Sequence, residues 1–113
     1  MTTTPDFTDY EIKIAHDTLK ERYRRDVPVQ LADVEVRLHL EDRVLVERPA
    51  IYWEDGKCHF VVIKLDKARF HSQFYYGLHQ QYGTGRTEYD DLFGCIMTLL
   101  KLQADYQAKE EAG

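Results

Sequence analysis

Five histidines, two cysteines and one serine are the side chains from which this 113-residue chain could build a catalytic or metal centre. Their spacing argues against one. His71 and His79 are eight residues apart, about 12 Å along a helix, too far to share an ion. Cys58 and His59 are neighbours, and on a strand they face opposite ways. No pair has the spacing of a zinc knuckle or of two ligands one helical turn apart, so no metal and no cofactor is expected. Ser72 stands in no nucleophile-elbow motif. Cys58 and Cys95 sit in apolar runs, where burial raises a thiol pKa and dulls its reactivity. The carboxylate pairs Glu54-Asp55 and Asp90-Asp91 fall at a turn and at a helix cap, which accounts for them structurally. No catalytic residue is assigned, and a non-enzymatic role is expected.

Three polar groupings remain. His71, Tyr75, His79 and Tyr82 would line one side of a helix. With Arg86 they are the candidate contacts for an aromatic or anionic ligand, the histidines responding to pH. Gly83-Thr84-Gly85-Arg86 has the composition of an anion nest, but Glu88, Asp90 and Asp91 follow and would repel a phosphate, so a turn-and-cap role is expected. Lys20, Arg22, Arg24 and Arg25 cluster near the end of the first helix, where solvated positive charge suits the dipole.

Composition narrows the classes further. The formal net charge is −5, which disfavours attraction to nucleic acid or anionic membranes. No apolar run approaches the roughly 20 residues needed to span a bilayer. The opening MTTTPDFTDYE has neither a basic nor an apolar signal region, so a cytoplasmic protein with free thiols is expected. One domain, 1–113, is expected, with 1–6 and 109–113 frayed.

The elements that must position these residues are read from periodicity. Thr8 and Glu11 make a capping box, with Phe7 and Ile12 as a hydrophobic staple. They open a helix over 9–25 whose buried stripe is Ile12, Ala15, Leu19 and Tyr23. Val27-Pro28 ends it, and 27–33 is a connector able to form a short edge strand. Residues 34–65 then alternate apolar with polar, the mark of an antiparallel meander. The first strand, 34–40, turns through a three-residue loop at 41–43 that sets Leu38 opposite Val46. A second strand runs towards Trp53, with Pro49 as a candidate bulge. Asp55-Gly56 is a type I′ hairpin signal that sets Trp53 opposite Cys58 and Ile51 opposite Phe60. After 65, Phe70, Phe74 and Leu78 recur every four residues and predict a short middle helix over 67–82. A long final helix starts at Thr87, with Glu88, Asp90 and Asp91 in its first turn and a stripe from Leu92 to Tyr106. The fold class is therefore α+β: N-terminal helix, three-stranded antiparallel meander, short middle helix, long C-terminal helix.

The order helix, three strands, helix resembles the double-stranded RNA-binding domain in topology alone. That family places lysines at the start of its last helix, over the phosphates. Glu88, Asp90 and Asp91 occupy those positions here, so nucleic-acid binding is not expected.

The meander has two faces. One carries Val34, Val36, Leu38, Ala50, Tyr52, His59, Val61 and Ile63, and both long helices are expected on it. The other carries Ile51, Trp53, Phe60 and Val62, too apolar a patch for open water. Its cover is expected from a bulge at Pro49, a later segment of the chain or a second subunit. The expected function is a non-catalytic interaction or regulatory module, homodimeric through Ile51, Trp53, Phe60 and Val62. The alternative is a small-ligand binder or enzyme with a pocket between the sheet and residues 70–86, using His71, Tyr75, His79 and Arg86.

Overall fold

A computed structural model of the chain describes residues 6–36, 43–77, 80–83 and 88–112. The class is α+β, with a helix at each end of an antiparallel sheet. Helix α1 (Asp9–Tyr23) precedes β1 (Gln30–Val36), β2 (Val46–Asp55), β3 (Cys58–Asp66), β4 (Arg69–Gly77) and β5 (Gln80–Gly83), and α2 (Leu92–Ala112) closes the chain. The strands lie in the order β1-β2-β3-β4-β5, a simple meander.

Helix α1 starts as its sequence dictates. Thr8 Oγ1 accepts from the Glu11 N–H at 3.1 Å, and Glu11 Oε1 accepts from the Thr8 N–H at 2.8 Å. The helix stops two residues earlier than expected, where Arg24 turns left-handed at φ 59° and donates its N–H to the Lys20 carbonyl. Ala15 and Leu19 are fully buried, and Ile12 and Tyr23 pack beside the same core.

The predicted middle helix over 67–82 is not present: β4 and β5 occupy the described part of that segment. A four-residue recurrence fits a helix turn, but it also fits one face of a strand when the residue between is small. Phe70, Ser72 and Phe74 are such a row, with exposures of 3%, 0% and 2%. The sheet thereby gains two strands over the expected three.

Both hairpin registers differ from expectation by two residues. Val46 pairs with Val36 rather than Leu38, and residues 37–42, including the expected turn, lie outside the described residues. At the second hairpin Asp55 pairs with Cys58, Trp53 with Phe60 and Ile51 with Val62. Within this turn only Gly56 carries positive φ, 61°, so the turn is Gly56-Lys57 in the manner of type II′ rather than Asp55-Gly56. A slip of two preserves which side chains share a face. Strand β2 runs through Pro49 without a register break against β1. Its ladder with β3 stops at Ala50–Ile63, beside the proline that has no N–H to offer. Arg48 Nε donates to the Leu65 carbonyl at 2.9 Å just beyond it.

The helices cover the face opposite to the one expected. Ile51, Trp53, Phe60, Val62, Phe70 and Phe74 form one core with Ala15 and Leu19 of α1 and Leu92, Cys95, Ile96, Leu99 and Leu100 of α2. Trp53 stacks on Phe60 with centroids 5.1 Å apart, and Phe60 meets Phe74 at 6.4 Å. Lys64 lies in the same face, 2% exposed, with Nζ 2.7 Å from Glu11 Oε1 and 3.2 Å from the Asp6 carbonyl. The capping box of α1 is thus tied to the middle strand of the sheet.

Helix α2 begins at Leu92, not Thr87, because Asp91 is its cap and accepts the Gly94 N–H at 2.8 Å. A Cβ on Gly94 would stand 3.0 Å from that carboxylate, so the glycine serves the cap rather than a helix–strand contact. Glu88 instead pairs with Arg69, and Tyr89 exchanges backbone hydrogen bonds with Phe70 at 2.7 and 2.8 Å. The helix continues to Ala112, past the point where fraying was expected.

The two faces predict different costs of truncation. Phe60→Ala should lose about 3–5 kcal/mol in urea denaturation, whereas Tyr75→Ala on the opposite face should lose markedly less. Equal losses would contradict the one-sided cover.

Candidate functional site

The patch of Ile51, Trp53, Phe60 and Val62 is interior: the four are 0%, 1%, 0% and 0% exposed beneath the helices. The chain itself supplies the cover, so these residues present no surface to a partner. The physical reason is volume. The face with the larger side chains buries more area per residue and takes the helices, although the other face carries as many aliphatic ones.

That other face is left open by both helices. Its centre, Ala50, Val61 and Ile63, is nevertheless buried at 1%, 8% and 6% exposure, and the half-buried Val34 and Leu65 pack beside it. Along one margin stand Tyr52, Glu54, His59 and Tyr75, placed there by the registers Glu54–His59 and His59–Tyr75. Tyr52 and His59 rings are 5.9 Å apart, His59 and Tyr75 4.9 Å, both pairs stacked. The Tyr52 hydroxyl lies 2.5 Å from Glu54 Oε1 and 2.5 Å from His59 Nδ1. A hydroxyl has one proton and a carboxylate only accepts, so Tyr52 donates to Glu54 and receives from His59 Nδ1–H. Partial burial and the adjacent carboxylate raise the Tyr52 pKa.

His71 and Tyr75 share this face but do not converge. His71 faces Ile63 and Tyr75 faces His59, four residues apart on one strand, about 13 Å by the rise per residue. His79 and Arg86 lie outside the described residues. The expected pocket between the sheet and residues 70–86 loses one of its walls, because the described part of that segment is itself β4 and β5 of the sheet. Tyr52, Glu54 and His59 were missed as a group because the expected register set His59 opposite Tyr52 and counted both as core. The signal was present in the acidic and imidazole side chains flanking a glycine turn.

The margin has acid–base groups without a nucleophile among the described residues. Cys58 and Ser72 point to the covered face, both buried. Burial pushes the Cys58 thiol up to about 11. No three His, Cys, Asp or Glu side chains among the described residues are grouped to hold a metal ion. No described helix is long and apolar enough to cross a membrane. A groove of about 410 Å³ between the end of α1 and α2, lined by Arg22, Met97, Thr98, Lys101 and Asp105, is wide open to solvent. No family model, no curated protein and no solved structure matches the chain.

Burial generates a pH prediction. Desolvation raises Cys58 from 9.0 to about 11 and Tyr23 from 10.0 to about 12, so folding favours their neutral forms. Their contribution is whole below pH 9.0 and is lost as pH climbs through 11 and then 12. The denaturation midpoint should hold up to that threshold and then fall. Tyr23→Phe should flatten the later part of the fall and Cys58→Ala the earlier part, in urea titrations at stepped pH.

Proposed function

We propose that the protein is a non-catalytic interaction module that pairs with a second copy of itself across the open face of its sheet. One observation carries this reading. The face of an antiparallel sheet that no helix covers is normally polar, and here it carries a second apolar cluster: Ala50, Val61 and Ile63 are buried in it, and Val34 and Leu65 beside them stay half-buried. A two-fold axis would lay the half-buried Val34 and Leu65 of one copy against those of the other, with the mixed margin of Arg48, Glu54, His59 and Tyr75 as a polar rim. The rim has both signs of charge, so it can complement itself. Cys58 and Cys95 are buried and in no disulfide, which suits the reducing setting of the cytoplasm.

A small-ligand reading has one observation in its favour, the stacked row Tyr52, His59 and Tyr75. A flat aromatic or anionic ligand would lie against that row, and His71 would stand at the far end of the same strand.

Sedimentation equilibrium over a concentration series tests the pairing. The native chain should reversibly dimerise. Leu65→Glu and Tyr75→Glu should be monomers with unchanged helix signal, and Met97→Glu on α2 should still dimerise. A native chain that stays monomeric into the high micromolar range overturns the reading.

A further inference from the structure

The margin of the open face carries both charges, but the β1 edge of the sheet carries one. Strand β1 is an edge strand, and among the described strands it is hydrogen-bonded only to β2. Asp33 and Glu35 lie on its helix side, both exposed, and Glu35 stands directly opposite the exposed Glu47. Like charges facing each other across a ladder cost stability. The start of α1 brings Asp6 and Asp9 to the same edge, around an open cleft of about 410 Å³ floored by Phe7, Ile12 and Pro49. None of these five carboxylates is in an ion pair among the described residues, and no lysine or arginine lines the cleft. Leu31, 58% exposed, stands on the same side of the strand.

The charges on this edge strand are both negative, Asp33 and Glu35, which repel an acidic strand and favour a basic one. Residues 30–36, QLADVEV, hold no proline and no lysine, and alternate residues turn their N–H and C=O groups away from β2. Such an edge is a template for another strand. A second copy of β1 brings the same two acids and no cation, and antiparallel pairing about Asp33 would set Asp33 against Asp33 and Leu31 against Glu35.

We propose that β1 accepts an extended segment of a different protein as a sixth strand, one with lysine or arginine at alternate positions facing Asp33 and Glu35. The incoming cations relieve the Glu35–Glu47 opposition and enter the acidic cleft beside α1. Apolar residues at the intervening positions lie next to Ala32 and Val34. The inference goes beyond the open-face pairing and stands whether or not two copies pair there, because it uses a different surface and a different occupant.

The test titrates the ¹⁵N-labelled full chain with a blocked peptide of alternating lysine and valine, as long as β1. Saturable amide shifts centred on Gln30–Val36 and reaching Phe7 and Ile12 are expected. Asp33→Lys should weaken binding at least about tenfold, the worth of one charge-assisted contact near 1.4 kcal/mol. Asp105→Lys, an equal charge change on α2, should leave affinity unchanged. Methylating the peptide nitrogens that would face β1 keeps the charge, removes the donors and should abolish binding. The proposal is overturned by absence of saturable binding, by equal affinity of the two Lys variants, by binding of the methylated peptide, or by shifts centred elsewhere. Self-association of the chain is read separately by sedimentation, so failure here is distinguishable from failure of the open-face pairing.

Discussion

The stack of Trp53 on Phe60 is the contact on which the arrangement depends. It joins β2 to β3 across their ladder, and Phe74 extends it to β4. The result is a continuous aromatic surface on one side of the sheet, and both helices are drawn to it because it offers the most apolar area to remove from water. A helix lies at each end of the chain and the strands form a simple meander, so α1 and α2 pack against one another over the same face. Nothing in that packing reaches the other side. The open face and the exposed β1 edge are consequences of spending both helices on the larger side chains.

The same packing shows why parts of the fold were legible in the sequence. Capping at Thr8 and Glu11 is a local contest between a side chain and two free N–H groups, and four residues specify it. Alternation along 46–66 sets the membership of each face, and a register slip of two residues leaves that membership intact. The turn at Gly56 was placed one residue early, yet Ile51, Trp53, Phe60 and Val62 still fell together. What alternation does not encode is which face meets the helices. That depends on side-chain volume summed over strands, including β4, whose Phe70-Ser72-Phe74 row carries a period of four that a helix shares. Misreading that row removed two strands from the sheet, and Phe70 and Phe74 from the comparison of faces.

The candidate site was less legible for a related reason. Tyr52, Glu54 and His59 meet only when the hairpin register is known, and Tyr75 joins them only when 69–77 is a strand. His71 and Tyr75 were singled out from helical spacing and do share a face, because residues four apart do so on a strand as well. The distance between them is what changes, from one helical turn to about 13 Å, and a common ligand contact changes with it. Lys64 was equally hidden. Its partner, Glu11, stands on a helix 53 residues away in sequence, and no local pattern in FVVIKL points to it.

The account rests on the cover of the aromatic face coming from the same chain. Acrylamide quenching of the single tryptophan, followed over a dilution series, tests this directly. Trp53 should emit as a buried indole and resist quenching equally at every concentration, down to the range where only monomer exists. Quenching that rises as the protein is diluted would mean that a second subunit supplies the cover, and would contradict the one-sided packing from which the open face and the β1 edge follow.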